Sequence, residues 1–359
     1  MKKQLLILIL AIFAFGFSSA VYGQVVPRAL ECIDLDDPLN VVAGQPYTYD
    51  VNVPTPVGTK TYHWFVTQDV NMISAGGVIA NIQLVGGSIL ATGSASYNDD
   101  SNLLDEVTLT FQSFTLNPTE YVFLGILVEN TDGTGCVTNN FKVYRIRPVH
   151  AFSLDIANVQ ADGTVLGADY GANIDNCLAE IVSAQYDAVE DAIDYQFGVN
   201  TFYYAVAAAN FSGSWQLRVE LTGLTLSQRA TITWGYTFAT AGDNPIAPAG
   251  SVDGEFTSTV PVAAQGGSVG LAGETIYIRM VIDHGNLFEG IALSQYALAV
   301  NGNLLTSGGA LVANGADVHH TGTPCAQVDF DDIALQSLKP RPDIQSVNPA
   351  PQGYLDIGN

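Results

Sequence analysis

Positive charge is scarce in this sequence: 12 Lys and Arg stand against 35 Asp and Glu, which gives a formal net charge of −23 at pH 7. A protein that binds nucleic acid needs a cationic surface for the phosphates, so nucleic acid is excluded as the expected partner. An acidic surface of this kind keeps an exported protein soluble, and some of its carboxylates could also bind divalent cations.

Long apolar runs are also rare, since only one is present, from Leu5 to Phe17, directly after Lys2 and Lys3. A short apolar core behind positive residues is typical of a secretory signal peptide, here with cleavage expected after Gly23. The run is too short for a comfortable membrane span. The sequence therefore predicts an exported protein that does not span a membrane, located at the cell surface, in the medium or in the periplasm.

Recognisable catalytic motifs are few as well. The sequence has neither an HExxH zinc-protease motif nor a phosphate-binding loop of the Walker type. A glycosidase would need only two carboxylates at the right separation, which a sequence alone does not display. We predict a non-catalytic protein, with a hydrolase as the remaining enzymatic alternative.

Cysteine is sparse, with four residues and no CxxC spacing, so a structural zinc site is not indicated. An exported chain meets an oxidising compartment, where disulfide bonds are expected instead. Four cysteines allow three pairings. The domain boundary described below selects one of them, Cys32 with Cys136 in the first unit and Cys177 with Cys325 in the second.

Patterns typical of β-strands dominate what is present. Apolar and polar residues alternate from Tyr47 to Val53 and again from Trp215 to Leu221, which is the period expected of half-buried strands. Trp64 occupies the place where immunoglobulin-like domains bury a core tryptophan. Turns rich in Gly and Pro separate these runs. We predict an all-β fold of tandem immunoglobulin-like antiparallel β sandwiches.

Arg147–Pro148 is the predicted domain boundary, because Pro148 ends a strand and a polar, Gly-rich region follows. The composition changes again after Leu338, where prolines become frequent and an extended tail is expected. The predicted segments are a signal peptide (1–23), an immunoglobulin-like sandwich (24–147), a second, elaborated sandwich (148–338) and the tail (339–359).

The stretch from Leu116 to Arg147 carries the most specific pattern. Tyr121 to Glu129 and Cys136 to Ile146 read as two long strands, joined by a turn that contains Asp-Gly and Gly-Cys. The approach to Tyr121 resembles the tyrosine corner of immunoglobulin-like and fibronectin type III sandwiches. The hairpin itself resembles the closing hairpin of PKD-type and other immunoglobulin-like repeats in surface proteins of gliding, type IX-secreting bacteria.

This resemblance implies adhesion, surface assembly or spacing, and it brings no catalytic residues with it. We therefore expect a surface or extracellular protein of the gliding or adhesin type, whose partners are other surface proteins or copies of itself. The alternative is a carbohydrate-binding accessory module, in which exposed aromatic side chains stack on a glycan. The candidates for stacking are Tyr203, Tyr204 and Trp215, which core packing would explain equally.

No cofactor is predicted, and calcium is the one ion that the acidic loops would suit, because carboxylate oxygens are its usual ligands. No loop fits the EF-hand pattern, so plain solvated turns are the competing interpretation. His319–His320 has no Cys or carboxylate at ligand spacing and is expected to be an ordinary loop pair. The weak calcium candidates are Asp36, Asp37, Asp99, Asp100, Asp162 and Asp169, and the acidic stretch Asp329–Asp332 is of the same kind.

Lysine is a usual guard of exposed sheet edges, and the mature chain has only Lys60, Lys142 and Lys339. Its strand edges are therefore expected to be poorly protected. An extended apolar segment at the C-terminus is expected to add to such an edge on a neighbouring subunit or partner, with a disordered tail as the alternative. The residues of this docking segment are Ile344, Tyr354, Leu355 and Ile357.

Overall fold

The structure is a computed structural model that describes residues 27–31, 34, 36–73, 84–85, 88–112, 122–166, 173–225, 227–306, 308–320 and 326–344. In those ranges no helix is long and apolar enough to cross a membrane. Several of the predictions fall outside the described residues. These are the signal peptide, the tyrosine corner at Tyr121, the cysteines Cys32 and Cys325, Asp169, and the tail residues Tyr354, Leu355 and Ile357.

The described chain is all-β, as predicted, with a single turn of 3₁₀ helix at Phe238–Thr240. The strands before the predicted domain boundary form two three-stranded antiparallel sheets, ordered β1-β6-β5 and β2-β7-β8, and the short pair β3–β4. Their bounds are β1 Pro46–Asp50, β2 Thr59–Thr67, β3 Leu84–Val85, β4 Ser88–Ile89, β5 Ala91–Gly93, β6 Glu106–Phe111, β7 Val122–Thr131 and β8 Val137–Ile146.

The strands after the boundary form two larger sheets. One runs β10-β22-β20-β14-β17, with β18 also paired to β14 and β21 to β20; the other runs β16-β15-β19-β13-β9, and β11–β12 is a separate hairpin. Their bounds are β9 Ser153–Val159, β10 Ile174–Cys177, β11 Ser183–Asp187, β12 Ala192–Gln196, β13 Val199–Ala209, β14 Phe211–Thr222, β15 Arg229–Gly235, β16 Asn244–Ser251, β17 Gly254–Thr257, β18 Val262–Val269, β19 Glu274–Asp283, β20 Ser294–Leu305, β21 Leu311–Ala316 and β22 Asp332–Lys339.

Each unit is a two-layer sandwich, because the alternating apolar residues of its two sheets meet in one core. In the first unit, Tyr47 and Leu109 of one sheet share a core with Trp64 and Ile126 of the other. Trp64 is fully buried, which confirms its prediction as a core residue. The predicted hairpin is also confirmed, since β7 and β8 pair in register from Val122 with Ile146 to Thr131 with Val137.

The second core follows the same rule on a larger scale. Trp215, Leu217, Val219 and Leu221 of β14 are fully buried, and the residues between them are partly exposed. They face apolar residues of β13, β15 and β19 across the sandwich. Those residues include Tyr204, Ile232, Trp234, Ile278 and Met280.

The two units contact each other through polar groups and one glycine. Gln45 Nε2 donates to Asn210 Oδ1 at 2.7 Å, and Asn210 Nδ2 donates to Ala151 O at 3.1 Å. Gly44, at φ +81°, lies so close to the backbone of Phe211 and Val269 that a Cβ there would be 2.2 Å from the nearest carbonyl oxygen. The division at the boundary remains a prediction, and two separate cores lie on either side of it.

Candidate functional site

Strand β8 is the most exposed long strand of the first unit. It is the outer strand of its sheet, and no described strand pairs with its outer edge between Val137 and Ile146. Only Ile146 is buried, and eight of the remaining nine residues are exposed. Backbone N–H and C=O groups along such an edge are available to an added strand.

The side chains of β8 combine apolar surface with positive charge. Val137 is 59% exposed, and Val143 and Tyr144 are also exposed. Lys142 and Arg145 lie on the strand and are exposed, and Arg147 follows directly. These three are a large share of the few cations in an acidic chain. We refer to this edge and its side chains, residues 137–147, as the β8 edge.

Two of the three aromatic residues considered for stacking on sugars are core residues, as the core-packing alternative predicted. Tyr204 and Trp215 are fully buried between the sheets of the second unit. Tyr203 is partly buried on the other face of β13, where its ring packs against Phe238 at 4.5 Å between centroids. A side chain with both faces covered by protein offers no platform to a glycan.

Three of the five described calcium candidates cap turns. Asp37 Oδ1 accepts from Leu39 N, Asp99 Oδ1 from Ser101 N and Asp162 Oδ1 from Thr164 N. Hydrogen bonds lower the pKa of each of these three carboxyls, with the largest effect from the Asn40 side chain at Asp37, the Ser101 side chain at Asp99 and Thr164 N at Asp162. Among the described residues, none of the five candidates, Asp36 and Asp100 included, belongs to a group of three possible ligands, whereas Asp331 and Asp332 of the acidic stretch do. The solvated-turn interpretation is therefore the better account of the five candidates.

The described cysteines are exposed and are not bonded to each other. Cys136 lies in the turn between β7 and β8, and Cys177 ends β10. Their predicted partners, Cys32 and Cys325, lie outside the described residues. The predicted pairing therefore remains untested.

A buried polar cluster was missed by the sequence analysis. At its centre, Asp155 of β9 is completely buried and forms an ion pair with Arg28 and a 3.1 Å contact with His320 Nε2. Arg28 also pairs with Asp332 Oδ1 at the start of β22. The histidine pair was expected to be an ordinary loop, but His320 is only 4% exposed.

A second part of the cluster contains three carboxylates. Asp317, Asp331 and Asp332 each offer one oxygen, and these oxygens all lie within 4.8 Å of one another. Asp317 Oδ1 accepts from Leu154 N at 2.8 Å, and Asp331 Oδ2 lies 2.7 Å from His319 Nδ1. The second oxygens of Asp317 and Asp332 are buried and accept no hydrogen bond from the described residues.

Burial dominates the electrostatics of this cluster. It raises the pKa of Asp317 well above the ordinary value, and the neighbouring Asp332 raises it further. Burial also raises the pKa of Asp332 to about 7, with Asp155 and Asp331 adding to the effect and Arg28 opposing it. Three carboxylates packed together out of water are unfavourable unless a positive charge or a proton accompanies them.

Sequence reasoning could have found only part of this cluster. Asp331–Asp332 and His319–His320 are visible as acidic and histidine pairs. Arg28 and Asp155 are 127 residues apart, and Arg28 and Asp332 are 304 apart. No local pattern marks residues that meet only when β9, β22 and the N-terminal segment come together.

One serine motif of the sequence has a structural explanation. Gly266 to Gly270 match the GxSxG pattern of hydrolase nucleophiles, which normally lies on a turn from strand to helix. Here Ser268 is on β18, opposite Ser212 of β14, and the two hydroxyl oxygens are 3.1 Å apart. The local structure is an antiparallel strand pair rather than a nucleophile turn.

Comparison with known proteins gives no family. No family model matches the sequence, and no curated protein matches it. Among solved structures, the chain aligns with the CupB6 tip adhesin from Pseudomonas aeruginosa at 9% identity, over 88% of this chain and 96% of that one, with a TM-score of 0.28. It aligns with the collagen adhesin CNA from S. aureus at 10% identity, over 84% and 89%, with a TM-score of 0.19.

A third alignment, with BspA_C_mut, has 12% identity and a TM-score of 0.20 and spans 54% of each chain. The chain therefore covers about half the length of that structure. All three TM-scores are low, and the identities are far below those that indicate common function. The alignments are with β-rich proteins, two of them adhesins, and they assign neither a function nor a partner to this chain.

Proposed function

We propose that this chain is an exported, non-catalytic extracellular protein that serves adhesion or assembly by adding a strand of another chain to the β8 edge. The observation that carries the proposal is the exposure of β8, a ten-residue strand whose outer edge no described strand covers. A free edge of this length can pair with an extended peptide through main-chain hydrogen bonds. The relation to surface repeats of gliding bacteria remains part of this proposal.

The charges on the β8 edge favour an acidic partner. Lys142 and Arg145 are exposed there, whereas the remainder of the mature chain is strongly acidic. Lys60 on β2 and Lys142 on β8 lie on the two outer strands of the same sheet, so two of the three lysines do guard edges. This is a correction to the expectation of unprotected edges, because a lysine-bearing edge discriminates against most strands.

The C-terminal segment of a second copy is the partner we propose. After Arg341 the sequence carries Asp343 and Asp356 and has no Lys or Arg. Its apolar residues, with Ile344 73% exposed, could lie along Val143 and Tyr144. Opposite charges on segment and edge would favour this pairing over random association.

Arg341 belongs to the folded unit and defines where the segment starts. Its Nη1 donates to Glu289 O at 2.6 Å and its Nη2 to Phe197 O at 3.0 Å, and the guanidinium lies 4.9 Å from the centre of the Phe197 ring. A truncation after Leu338 would remove these contacts, so a loss of association could then result from unfolding rather than from the loss of docking. The informative truncation removes residues 345–359. It leaves Arg341, Asp343 and Ile344 in place and removes the rest of the segment, including Tyr354, Leu355, Asp356 and Ile357.

The proposal predicts concentration-dependent association of the mature chain in light scattering, and attachment of the protein to a surface coated with itself. Reversing the edge charges with Lys142→Glu and Arg145→Glu should abolish both, since the acidic segment would then be repelled. Removing residues 345–359 should have the same effect, and combining the changes should add nothing.

Lys339→Glu is the control for Lys142→Glu made alone, because it reverses one lysine in the same way on β22, away from the β8 edge. It should associate as the unchanged protein does. If the unchanged chain stays monomeric at all concentrations, or if the edge variants associate normally, the proposed function is wrong.

A further inference from the structure

Two buried aspartates of the second unit each have a carboxylate oxygen without a hydrogen-bond donor among the described residues. Asp317 is 2% exposed and Asp332 is 3% exposed, and the Oδ2 atom of each accepts no hydrogen bond from the described residues. Together with an oxygen of Asp331, they form a group whose members are all within 4.8 Å of one another. Buried carboxylates left in this state cost several kcal/mol, so an unseen positive partner is expected.

The positive groups already present do not supply that partner. Arg28 binds Asp155 and the other oxygen of Asp332, and His320 Nε2 contacts Asp155. His319 Nδ1 lies 2.7 Å from Asp331 Oδ2. Asp317 Oδ2 accepts no hydrogen bond from the described residues and so remains uncompensated.

We propose that Asp317, Asp331 and Asp332 bind a calcium ion. Calcium takes six to eight oxygen ligands at about 2.3–2.6 Å, so two oxygens on opposite sides of one ion are at most about 5 Å apart. The observed limit of 4.8 Å meets this condition. Three carboxylates also form a set of hard oxygen ligands, and such ligands favour calcium over transition metals.

Calcium fits better than magnesium because it tolerates irregular geometry. Magnesium requires a near-ideal octahedron and normally retains several waters. A buried site with three protein oxygens does not easily accommodate those waters. Calcium accepts carboxylates that bind through a single oxygen. This suits Asp317 and Asp332, because Leu154 N donates to Asp317 Oδ1 and Arg28 pairs with Asp332 Oδ1. The hydrogen bond from Leu154 N also orients the Asp317 side chain before the ion binds.

The position of the site gives the ion a structural role. Asp317 N donates to Gly302 O, and the next residue, Val318, donates its N–H to Phe152 O. Val318 packs in a small apolar cluster with Leu30, Val42 and Ala151, where the N-terminal segment meets both units. Calcium would therefore stabilise the region in which the two units join.

Isothermal titration of the metal-free protein with calcium chloride tests the site directly. We expect one calcium per chain at this site and a higher melting temperature with calcium than with EDTA, because a ligand that binds only the folded state stabilises it. Asp317→Asn and Asp331→Asn should each weaken calcium binding at least tenfold. The second variant is included because Asp331 is partly exposed and its replacement is less harmful to folding.

Asp162→Asn is the matched control, since it makes the same substitution in an exposed turn. It should bind calcium as the unchanged protein does. The proposal is overturned if the unchanged protein binds no calcium, which would mean that the carboxylates share a proton instead. It is equally overturned if both site variants bind calcium with unchanged affinity.

Discussion

His284 shows how burial alone sets the chemistry of a residue. Its side chain is completely buried and stacks on Phe288 with ring centroids 5.0 Å apart. Nε2 lies 2.7 Å from Asn200 Oδ1, and Nδ1 lies 2.9 Å from Gln228 Nε2. An amide nitrogen donates, so Nδ1 is the acceptor and the ring is neutral. Burial and the nearby Arg341 lower the pKa of His284 to about 4.

This lowered pKa makes His284 destabilise the protein in mild acid. Between pH 6.5 and about 4 the unfolded chain binds a proton at this residue that the folded chain does not, so the contribution of His284 to the free energy of unfolding falls as the pH falls through this window. At about 1.4 kcal/mol per pKa unit, the full effect is roughly 3 kcal/mol. Above pH 6.5 this contribution is constant. The raised pKa of Asp332 contributes in the opposite direction, because there the folded chain binds the proton first.

Urea denaturation at pH 7 and pH 5 measures the effect. The His284→Gln variant keeps groups that can bond to Asn200 and Gln228, and it should show a smaller difference in unfolding free energy between the two pH values. The same substitution at His63, which is partly exposed on β2, should leave the difference unchanged. An equal pH dependence in the His284 variant and the unchanged protein would show that another group is responsible.

The residues next to Cys32 and Cys325 bear on the disulfide prediction. Glu31 N donates to His320 O at 3.0 Å, and His319 N donates to Ala326 O at 2.8 Å. Cys32 follows Glu31 in sequence, and Cys325 precedes Ala326. The described neighbours of these two cysteines thus meet at the same histidine pair, whereas Cys136 is at the tip of the β7–β8 hairpin.

We therefore predict that Cys32 pairs with Cys325 and that the exposed Cys136 and Cys177 stay reduced. Such a bond would close a loop of most of the mature chain and stabilise it by about 5–6 kcal/mol in the chain-entropy model. Peptide mapping of the non-reduced protein decides among the pairings. Recovery of Cys32 joined to Cys136 and Cys177 joined to Cys325 would instead support the pairing that the domain boundary selects.

At the scale of the whole molecule, a close backbone contact at Gly44 joins the two units, in addition to the Gln45–Asn210 hydrogen bond and the apolar cluster around Val318. Gly44 has φ +81°, and its Cα lies against the carbonyl groups of Phe211 and Val269 in the other unit. Gly44 N also donates to Phe111 O at 3.0 Å, which fixes the turn to its own sheet. A side chain at this position would push the units apart, because backbone atoms cannot rotate out of the way.

Gly44→Ala should therefore destabilise the protein more than its backbone conformation alone explains. Gly135→Ala is the control, because Gly135 has φ +85° and a Cβ there would contact nothing within 4 Å. We expect a loss of about 1 kcal/mol for the control and roughly 3 kcal/mol for Gly44→Ala in urea denaturation. Equal losses for the two variants would show that the contact between the units contributes little.

The strands and the all-β fold follow from the sequence, because alternation of apolar residues is a local property. β7 and β8 were predicted with nearly their observed bounds, β14 was predicted only over Trp215 to Leu221 of its span Phe211–Thr222, and Trp64 was correctly predicted as core. Which side of an alternating strand faces a second sheet is not a local property. For this reason Tyr204 and Trp215 were considered as exposed glycan platforms, although both are enclosed by strands distant in sequence.

The buried cluster was decided by tertiary structure alone. Its charges come from the N-terminal segment, from β9 and from the residues around β21 and β22, and chain connectivity places no two of these three regions side by side. In the sequence, Asp331 and Asp332 are indistinguishable from the acidic turns at Asp99 and Asp162. Folding removes water from Asp317 and Asp332, whereas Asp99 and Asp162 in the turns stay hydrated. This loss of hydration is the physical reason why only Asp317 and Asp332 require a positively charged partner.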